Sequence, residues 1–572
     1  MTTEIALTDV LIIGAGPVGL TLANELRKRD VDVRIVEKQP AIREISKALI
    51  WHVRTQEALD KVGILQRGLA EAQPLKEVVM RAYGKRIGSW LFAEIDSPNP
   101  HAAIIGQNRT QHLLLDLLRE RGGDVEWSSE VTAIAPDADG VTVTVLHGET
   151  TGTAQTTIRA KFVVGCEGAN SIVRKTLGLT FEGQRYSGEQ FIQADCKLRW
   201  TLPSGRSYLF LTDDGYMMVI EMPGGMARIF ISLPDHDREA GARAASDQGA
   251  VEDISAAPTL DDIHANFLRL AGIEVELSDA TWLARYRTSH RYANTFGVGR
   301  CFVAGDAGHV HVPIGGQGMN TGIQDAFNLG WKLAGVVRGD YRRELLDTYS
   351  AERHPVAKAL IAGTDRSYRG VLHPSELQQR LVRMFGPFIV KTQMAQTTMA
   401  TILEELNIAY DASPLNNDLK GAAGPKPGHR APVDAPVVRW PGRETVLLAD
   451  ITRTIEWALL VFCGDAQHRE AEPAQPETLP QALRQHITPF HITTSTAAPS
   501  VAGYTVLIDG EEHLHRAYGV TNPAFFLLRP DGVVAMRGPG FDLRALRSYF
   551  AGPVGLRAAA GEVTMPYKTL SG

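Results

Sequence analysis

The sequence holds no run of about 18 consecutive apolar residues, which excludes a membrane-spanning helix. Basic charge is not in excess: 59 Lys and Arg stand against 65 Asp and Glu, a net charge of −6. No positive field therefore points to nucleic acid or to an anionic membrane. Cysteine is scarce and scattered, at Cys166, Cys196, Cys301 and Cys463. That spacing excludes a disulfide framework or a cysteine–zinc site and predicts four reduced, mostly buried thiols in a cytoplasmic protein. The opening residues MTTEIALTDV lack the basic start and apolar core of a signal peptide. Short internal repeats and long low-complexity segments are absent as well. What is present is the balance of a globular chain, 44% apolar and 22% charged over 572 residues. At about 100–200 residues per domain, that length predicts about three domains.

Residues 9–37 read as a βαβ unit. The strand DVLII leads into GAGPVG; then Val18, Leu22 and Leu26 recur at helical spacing, and VRIVE follows as a second strand. GQNRTQHLLLDLLRERG is an amphipathic helix, and KFVVGCEGANSIVRKTLG reads as strand, turn, helix. From about residue 183 to 290 the pattern alternates, as in YLFLTDDGYMMVIEMPGGMARIFISL, which predicts a mainly antiparallel layer roofing a substrate pocket. The α/β pattern resumes at RCFVAGD. GAAGPKPGHRAPVDAP, 421–436, reads as a linker, and WALLVFCG, GYTVLIDG and AFFLLRPDGVVAM form a separate small α/β domain beyond it.

Three motifs carry chemistry. Gly14-x-Gly16-x-x-Gly19 follows a strand and opens a helix, the setting of a dinucleotide-binding turn. Its glycines serve the turn, the approach of a pyrophosphate and helix–strand packing, and the helix N-terminus stabilises the anion. Glu37, 23 residues after Gly14, is placed to accept ribose hydroxyl bonds. This motif does not separate NAD from FAD. The second is CEGANSIVR, 166–174, a turn whose glycine admits a ligand near the backbone. The third is GDAGHVHVPIGGQGMN, 305–320, in which Asp306 ends a buried strand and can bind a polyol. The amides of GGQGMN open an apolar-faced helix, a place that stabilises negative charge developing on a ligand. His309 and His311 lack the partners of a full metal ligand set, so no metal is expected.

In order and spacing over roughly residues 5–400, these three motifs resemble the class A flavoprotein monooxygenases, the aromatic hydroxylases. The tail is similar to the thioredoxin-like domain of the larger members, the phenol hydroxylase and polyketide aromatic hydroxylase type. The resemblance implies an α/β fold: a Rossmann-like FAD-binding domain of glutathione-reductase type in two parts, 1–182 and 291–420, with its long helices in the second part. The substrate-binding β-sheet domain would be 183–290, followed by the linker 421–436 and a thioredoxin-like domain 437–572. It implies that Gly14, Gly16, Pro17, Val18 and Gly19 wrap the FAD pyrophosphate and that Glu37 holds the adenosine ribose. Lys38 and Lys47 would lie near the adenosine and phosphates, Gln107 would contact the flavin with Arg109 as a weaker neighbour, and the Val131 backbone would clasp adenine. Asp306 would hold the ribityl chain, and Pro313 with the backbone of Gly318, Met319 and Asn320 would line the flavin ring.

Two positions depart from the family pattern. Glu167 stands where an aspartate serving FAD and NAD(P)H contacts is usual, and Lys47 replaces an arginine, keeping charge without the two-pronged hydrogen bonding. The activity implied is NAD(P)H reduction of FAD, addition of O2 at flavin C4a, and transfer of OH from the hydroperoxide to an electron-rich arene. The absence of a second GxGxxG fits, because NADH or NADPH has no Rossmann domain of its own in this family. A phenol reacts faster as phenolate, so a base is expected, with His52, Tyr216 and Arg287 as the catalytic candidates and His290 beside them. The lone cysteine in Cys463-Gly-Asp-Ala466 argues against thioredoxin-type redox activity, and the tail is expected to serve packing or dimer contacts. Two alternatives stay open: a Baeyer–Villiger or other flavin oxidation on the same fold, and a non-enzymatic binding protein on it. The GD stretch speaks against the second, because it has no purpose without flavin. The aromatic substrate itself is open among simple phenols, phenylpropionates and polycyclic phenols.

Overall fold

The structure, a computed structural model, describes residues 5–91, 95, 97–148, 154–185, 189–212, 215–234, 251–252, 257–287, 289–311, 314–372, 392–467, 479–495 and 501–557. The chain divides into two compact units, one of residues 1–95, 99–330 and 353–407 and one of 96–98, 331–352 and 408–572.

The first unit is built on a sheet whose central strand is Ile5–Ile13. This strand pairs in parallel with Ala154–Gly165 on one side and Val33–Val36 on the other. Cys301–Val303 extends the sheet beyond Ala154–Gly165, and Val125–Glu126 extends it beyond Val33–Val36. Val10, Leu11 and Ile12 are fully buried, as expected of a central parallel strand covered on both faces. The helix Pro17–Arg27 follows, with proline in its first turn, and packs Leu20, Leu22, Ala23 and Leu26 into the core. The register places Ile13 opposite Gly165 and Gly165 opposite Val303. The loops after these three strands therefore leave the sheet side by side at its carboxyl edge. Motifs about 150 residues apart in the chain meet there, where open α/β sheets bind ligands.

A second sheet of eight strands runs in the order Val251–Glu252, Glu276–Arg287, Glu189–Arg199, Met226–Pro234, Gly215–Glu221, Ser207–Thr212, Glu77–Ala82, Lys85–Leu91. Its pairings are antiparallel except that of Ser207–Thr212 with Glu77–Ala82. Two of its strands thus come from residues 77–91, outside the insertion expected at 183–290. One face is closed by the helix Leu260–Ala271, which starts in a Thr259/Asp262 capping box and ends at left-handed Gly272. Ile263, Phe267 and Leu270 pack there on Ile192, Ala194, Phe210, Met217 and Ile229. Each such side chain stabilises by about 1.5–3 kcal/mol. No helix among the described residues is long and apolar enough to cross a membrane.

The second unit carries its own eight-stranded sheet. Trp457–Phe462 is central, parallel to Ile487–Thr493 and antiparallel to Ala524–Leu528, which forms a hairpin with Val534–Pro539. The stretch expected as a linker is bonded to this unit: Gly428 and Ala431 donate to the carbonyls of Val534 and Gly532, and Val534 donates to that of His429. Residues 331–352 also belong here, and Glu352 is their buried anchor. It accepts from Lys332 at 2.7 Å and from both Arg529 nitrogens at 2.5 and 2.8 Å. All four cysteines of the chain are unpaired and buried. Cys463 lies 3.0 Å from His491 Nε2; burial holds its thiol up at about 11 and the imidazole down at about 4, so both stay neutral.

Candidate cofactor and substrate site

The glycine turn separates into two kinds of position. Gly14 has φ +102°, and a Cβ there would lie 2.6 Å from the Cys166 carbonyl oxygen. A Cβ on Gly19 would lie 2.0 Å from the Gly14 oxygen. These two glycines let the turn, the helix and the second loop close on one another. At Gly16, by contrast, a Cβ would meet nothing within 4 Å. The protein itself does not need that glycine, and the open space lies at the N-cap of the helix, where unpaired amides point outward. Val18 packs against Gly305 and Gly322, since a Cβ on either would come within 2.8 Å of its methyl group. Glu37 reaches back to the turn: it accepts from the Ala15 amide at 3.0 Å and the Gln39 amide at 2.9 Å. Lys38 is exposed. Ser129 donates its amide to the Glu37 carbonyl at 2.9 Å. The two-residue period of its strand turns the Val131 amide toward the same edge.

Asp306 follows Val303 on the third loop. It is exposed, yet the protein around it is as dense as the interior and pushes its carboxyl above the usual range against the pull of His309 and Lys47. Lys47, exposed, is close enough to act on it. The turn is fixed from behind by Asp325, which accepts from the Gly305 amide at 3.1 Å, from His309 Nε2 at 2.7 Å and from Arg353 Nε at 2.6 Å. His309 is thus a packing residue of the turn. The helix Gln317–Arg338 begins just beyond. Gly318 is half-buried, while Met319 and Asn320 are buried. The amides of that first turn have no intrahelical acceptor. Pro313 lies outside the described residues.

Several expected contacts turn out to hold the loops themselves. Gln107 Oε1 accepts from the Ala48 amide at 3.2 Å, and the Gln107 amide donates to the Ser46 hydroxyl at 2.7 Å. Arg109 makes a surface pair with Glu71 at 2.8 Å. Glu167 Oε1 accepts from Ser171 at 2.7 Å and the Val173 amide at 3.0 Å, capping the short helix after the second loop. Burial raises its carboxyl despite those donors. Arg174 ties the second and third loops, donating to the carbonyls of Ala169 at 2.6 Å and Ala307 at 2.9 Å.

His52 is buried. Its Nε2 is 2.7 Å from the Gly315 oxygen and its Nδ1 is 3.5 Å from Glu404. Both neighbours are acceptors: Nε2 is within hydrogen-bond distance of the Gly315 oxygen, while Nδ1 makes no hydrogen bond and faces Glu404 at ion-pair distance. Burial alone would lower its pKa, but Glu404, Glu405 and the Gly315 carbonyl outweigh it and raise it. The Asn320 side chain accepts from the His52 amide at 2.9 Å and donates to the carbonyls of Ile50 at 2.9 Å and Gly316 at 2.8 Å. Tyr216 is buried beside Phe230, with ring centroids 5.7 Å apart. His290 is buried too. The backbone of Arg287 pairs with Val251, and its side chain lies outside the described residues.

The face of the second sheet opposite the helix Leu260–Ala271 carries a wall of large, half-buried side chains: Leu209, Leu211, Met218, Phe230 and Tyr286, with buried Phe191 and Tyr216 among them. Among the described residues, one buried ion pair stands on this face. Arg228 contacts Asp195 at 2.8 and 2.7 Å and also donates to the carbonyls of Ser46 and Lys47. It anchors the loop that carries Lys47 to the sheet. Sequence reasoning missed this pair. The available signal was a lone charge at an inward position of each strand, Asp195 in FIQADCKL and Arg228 in MARIFIS.

A family profile described as an FAD binding domain matches residues 7–364. The chain belongs to the FAD-binding aromatic monooxygenases. Among the relatives of this flavoprotein family, 6-methylpretetramide 4-monooxygenase of Streptomyces rimosus is 32% identical over 540 residues, covering 93% of this chain and 90% of that protein. Pentachlorophenol 4-monooxygenase of Sphingobium chlorophenolicum is 30% identical over 545 residues, 93% of this chain and 94% of its own. The solved structure of an anhydrotetracycline hydroxylase from Streptomyces rimosus superposes with a TM-score of 0.72 at 28% identity, covering 96% of this chain and 100% of that one. The monooxygenase is thus an α/β, FAD-dependent enzyme of the class A aromatic hydroxylase type. Its residues fit the cofactor: Gly16 leaves open space at a helix N-cap, and Asp306 stands exposed on another loop that leaves the same carboxyl edge of the sheet.

Proposed function

We propose that this monooxygenase uses NADPH or NADH and O2 to hydroxylate a flat, oxygenated polycyclic phenol. The observation that carries this reading is the half-buried wall of Leu209, Leu211, Met218, Phe230 and Tyr286, on the same sheet face as the Arg228 anchor of the cofactor loop. The wall spans five neighbouring strands spaced about 4.8 Å apart, which suits fused rings better than a single ring. The full-length similarity to 6-methylpretetramide 4-monooxygenase points the same way.

Bound FAD supplies the oxidising chemistry. The chain's own groups bind and orient. Gly16 admits the pyrophosphate and Glu37 and the Val131 amide face the adenosine side. Lys38 and Lys47 supply positive charge near the phosphates, Asp306 holds the ribityl hydroxyls, and Gln107 stands at the flavin edge. The amides of Gly318, Met319 and Asn320 face the ring where negative charge develops. Glu167 completes the lining. The apolar wall excludes water from the reacting centre. Tyr216 and Arg287 belong to the substrate sheet. His52, with both nitrogens turned to protein acceptors, is given a positioning role at the Gly315 turn. The free, buried thiols suit a reducing cytoplasm. The C-terminal unit is read as thioredoxin-like, with a packing or dimerisation role.

A panel of phenols of one to four rings, scored by NADH and NADPH oxidation against H2O2 release, tests the reading. Tight coupling with fused-ring phenols is expected. Coupling only with single-ring phenols would overturn the substrate class, and a ketone converted to an ester would favour Baeyer–Villiger oxidation.

A further inference from the structure

The wall contains one polar side chain whose hydrogen bonding has a fixed direction. Tyr286 is half-buried on the open face, yet its surroundings are dense enough that burial pushes its phenol far up, against the pull of Arg228. It stacks on Phe191, with centroids 6.0 Å apart and planes at 21°. Its oxygen lies 3.0 Å from the Gln193 amide. Gln193 in turn faces the guanidinium of Arg228, which carries donors only. The amide oxygen must therefore face Arg228, where it accepts from Nε at 3.0 Å and Nη1 at 3.3 Å, and the amide nitrogen then donates to the Tyr286 oxygen at 3.0 Å. The reverse orientation would set donor against donor. Arg228 itself is held by Asp195 and by the carbonyls of Ser46 and Lys47, so it cannot turn away.

The chain runs one way: Arg228 N–H to Gln193 oxygen, Gln193 N–H to Tyr286 oxygen. Tyr286 has then accepted its bond. Its own hydrogen has no protein acceptor among the described residues, and the side chain is half open. We propose that Tyr286 is a substrate-recognition residue that donates its hydroxyl hydrogen to an oxygen of the bound polycycle, and that Gln193 and Arg228 are the positioning residues that compel it to donate. The inference rests on the monooxygenase reading above and narrows it: the substrate carries an oxygen acceptor, a ring carbonyl or a phenolic oxygen, over the Phe191–Tyr286 end of the wall. A donor chain that begins at a cation polarises each later bond, which strengthens the last one. A phenol so far from ionising does not act as a base.

The test measures binding of three probes to the FAD-loaded enzyme by titration calorimetry: 1-hydroxyanthraquinone, 1-hydroxyanthracene and anthracene. FAD content is read separately from the flavin absorbance. Tyr286→Phe removes the donor and should raise the Kd of an oxygen-bearing probe about tenfold, with anthracene unchanged. Gln193→Glu keeps size and still satisfies Arg228, but a carboxylate only accepts. It would draw the Tyr286 hydrogen inward and should give the same loss as Tyr286→Phe, which a merely structural contact would not. A loss confined to the anthraquinone assigns the partner as a carbonyl; a loss shared by both oxygenated probes assigns the phenolic oxygen. Wild-type enzyme that binds anthracene as tightly as both oxygenated probes overturns the proposal, as does a Gln193→Glu variant with wild-type affinities. A wild-type protein that takes up no FAD would instead overturn the monooxygenase reading.

Discussion

Replacing Gly16 by alanine separates what the protein needs for its fold from what it needs for its cofactor. The backbone at Gly16 has φ −69° and ψ 178°, a conformation alanine adopts without strain. The added methyl meets no atom within 4 Å. Restricting the unfolded chain stabilises the variant by about 0.4–1 kcal/mol, and the weaker N-cap preference of alanine offsets part of that. The apoprotein should therefore unfold within about 1 kcal/mol of wild type. The same methyl occupies the space in which the pyrophosphate meets the helix N-terminus. FAD affinity should fall by about 100-fold or more, about 2.7 kcal/mol. Gly14→Ala and Gly19→Ala are the controls. The first forces φ +102° on alanine with a backbone oxygen at 2.6 Å, the second sets a backbone oxygen at 2.0 Å. Each should destabilise the apoprotein itself by about 1–3 kcal/mol. The assay pairs denaturant unfolding of apoprotein with FAD titration by fluorescence quenching. Unchanged FAD affinity in Gly16→Ala would refute the placement of the cofactor.

Asp306→Ala should fold normally and lose FAD on dialysis faster than wild type; equal retention would remove Asp306 from the ribityl site. Asp195→Ala leaves the Arg228 guanidinium buried without its carboxylate and should cost about 3–5 kcal/mol in denaturant unfolding. Adding Arg228→Met should recover most of that loss, and a double variant as unstable as Asp195→Ala would contradict the pairing. His52 has its folded pKa raised by Glu404 and Glu405 against burial. Its contribution to stability is therefore complete below the unfolded value near 6.5 and is lost as pH rises through the higher folded value. His52→Gln should remove that alkaline decline in melting temperature while leaving the pH–rate profile of hydroxylation intact; a lost limb of that profile would make His52 the phenol's base after all.

The glycine turn, the central α/β sheet and the Asp306 loop were legible because each is local. A strand, a turn and a helix start are written within 15 to 30 consecutive residues, and the hydrophobic period tells which face is inside. Their meeting at one sheet edge is a consequence of parallel register, and it needed only the order of the three motifs. What was not legible depends on pairing across the chain. No local pattern says that Glu77–Leu91 joins the second sheet, or that Asp195 and Arg228, 33 residues apart, stand opposite each other on neighbouring strands. His52 was visible as a titratable residue, but the acceptors that face both its nitrogens lie at Gly315 and Glu404. Gln107 and Glu167 showed the converse: residues chosen as ligand contacts bind neighbouring backbone amides first.

The central claim is oxygen transfer from O2 to a fused-ring aromatic at the expense of NAD(P)H by the FAD-loaded enzyme. The most direct measurement is turnover of an oxygenated polycyclic phenol under 18O2, with product analysed by mass spectrometry and NAD(P)H counted. The account predicts one 18O atom in the product ring for each NAD(P)H consumed. Product oxygen drawn from water, or NAD(P)H consumed with H2O2 as the only oxygen product across the panel, would contradict it.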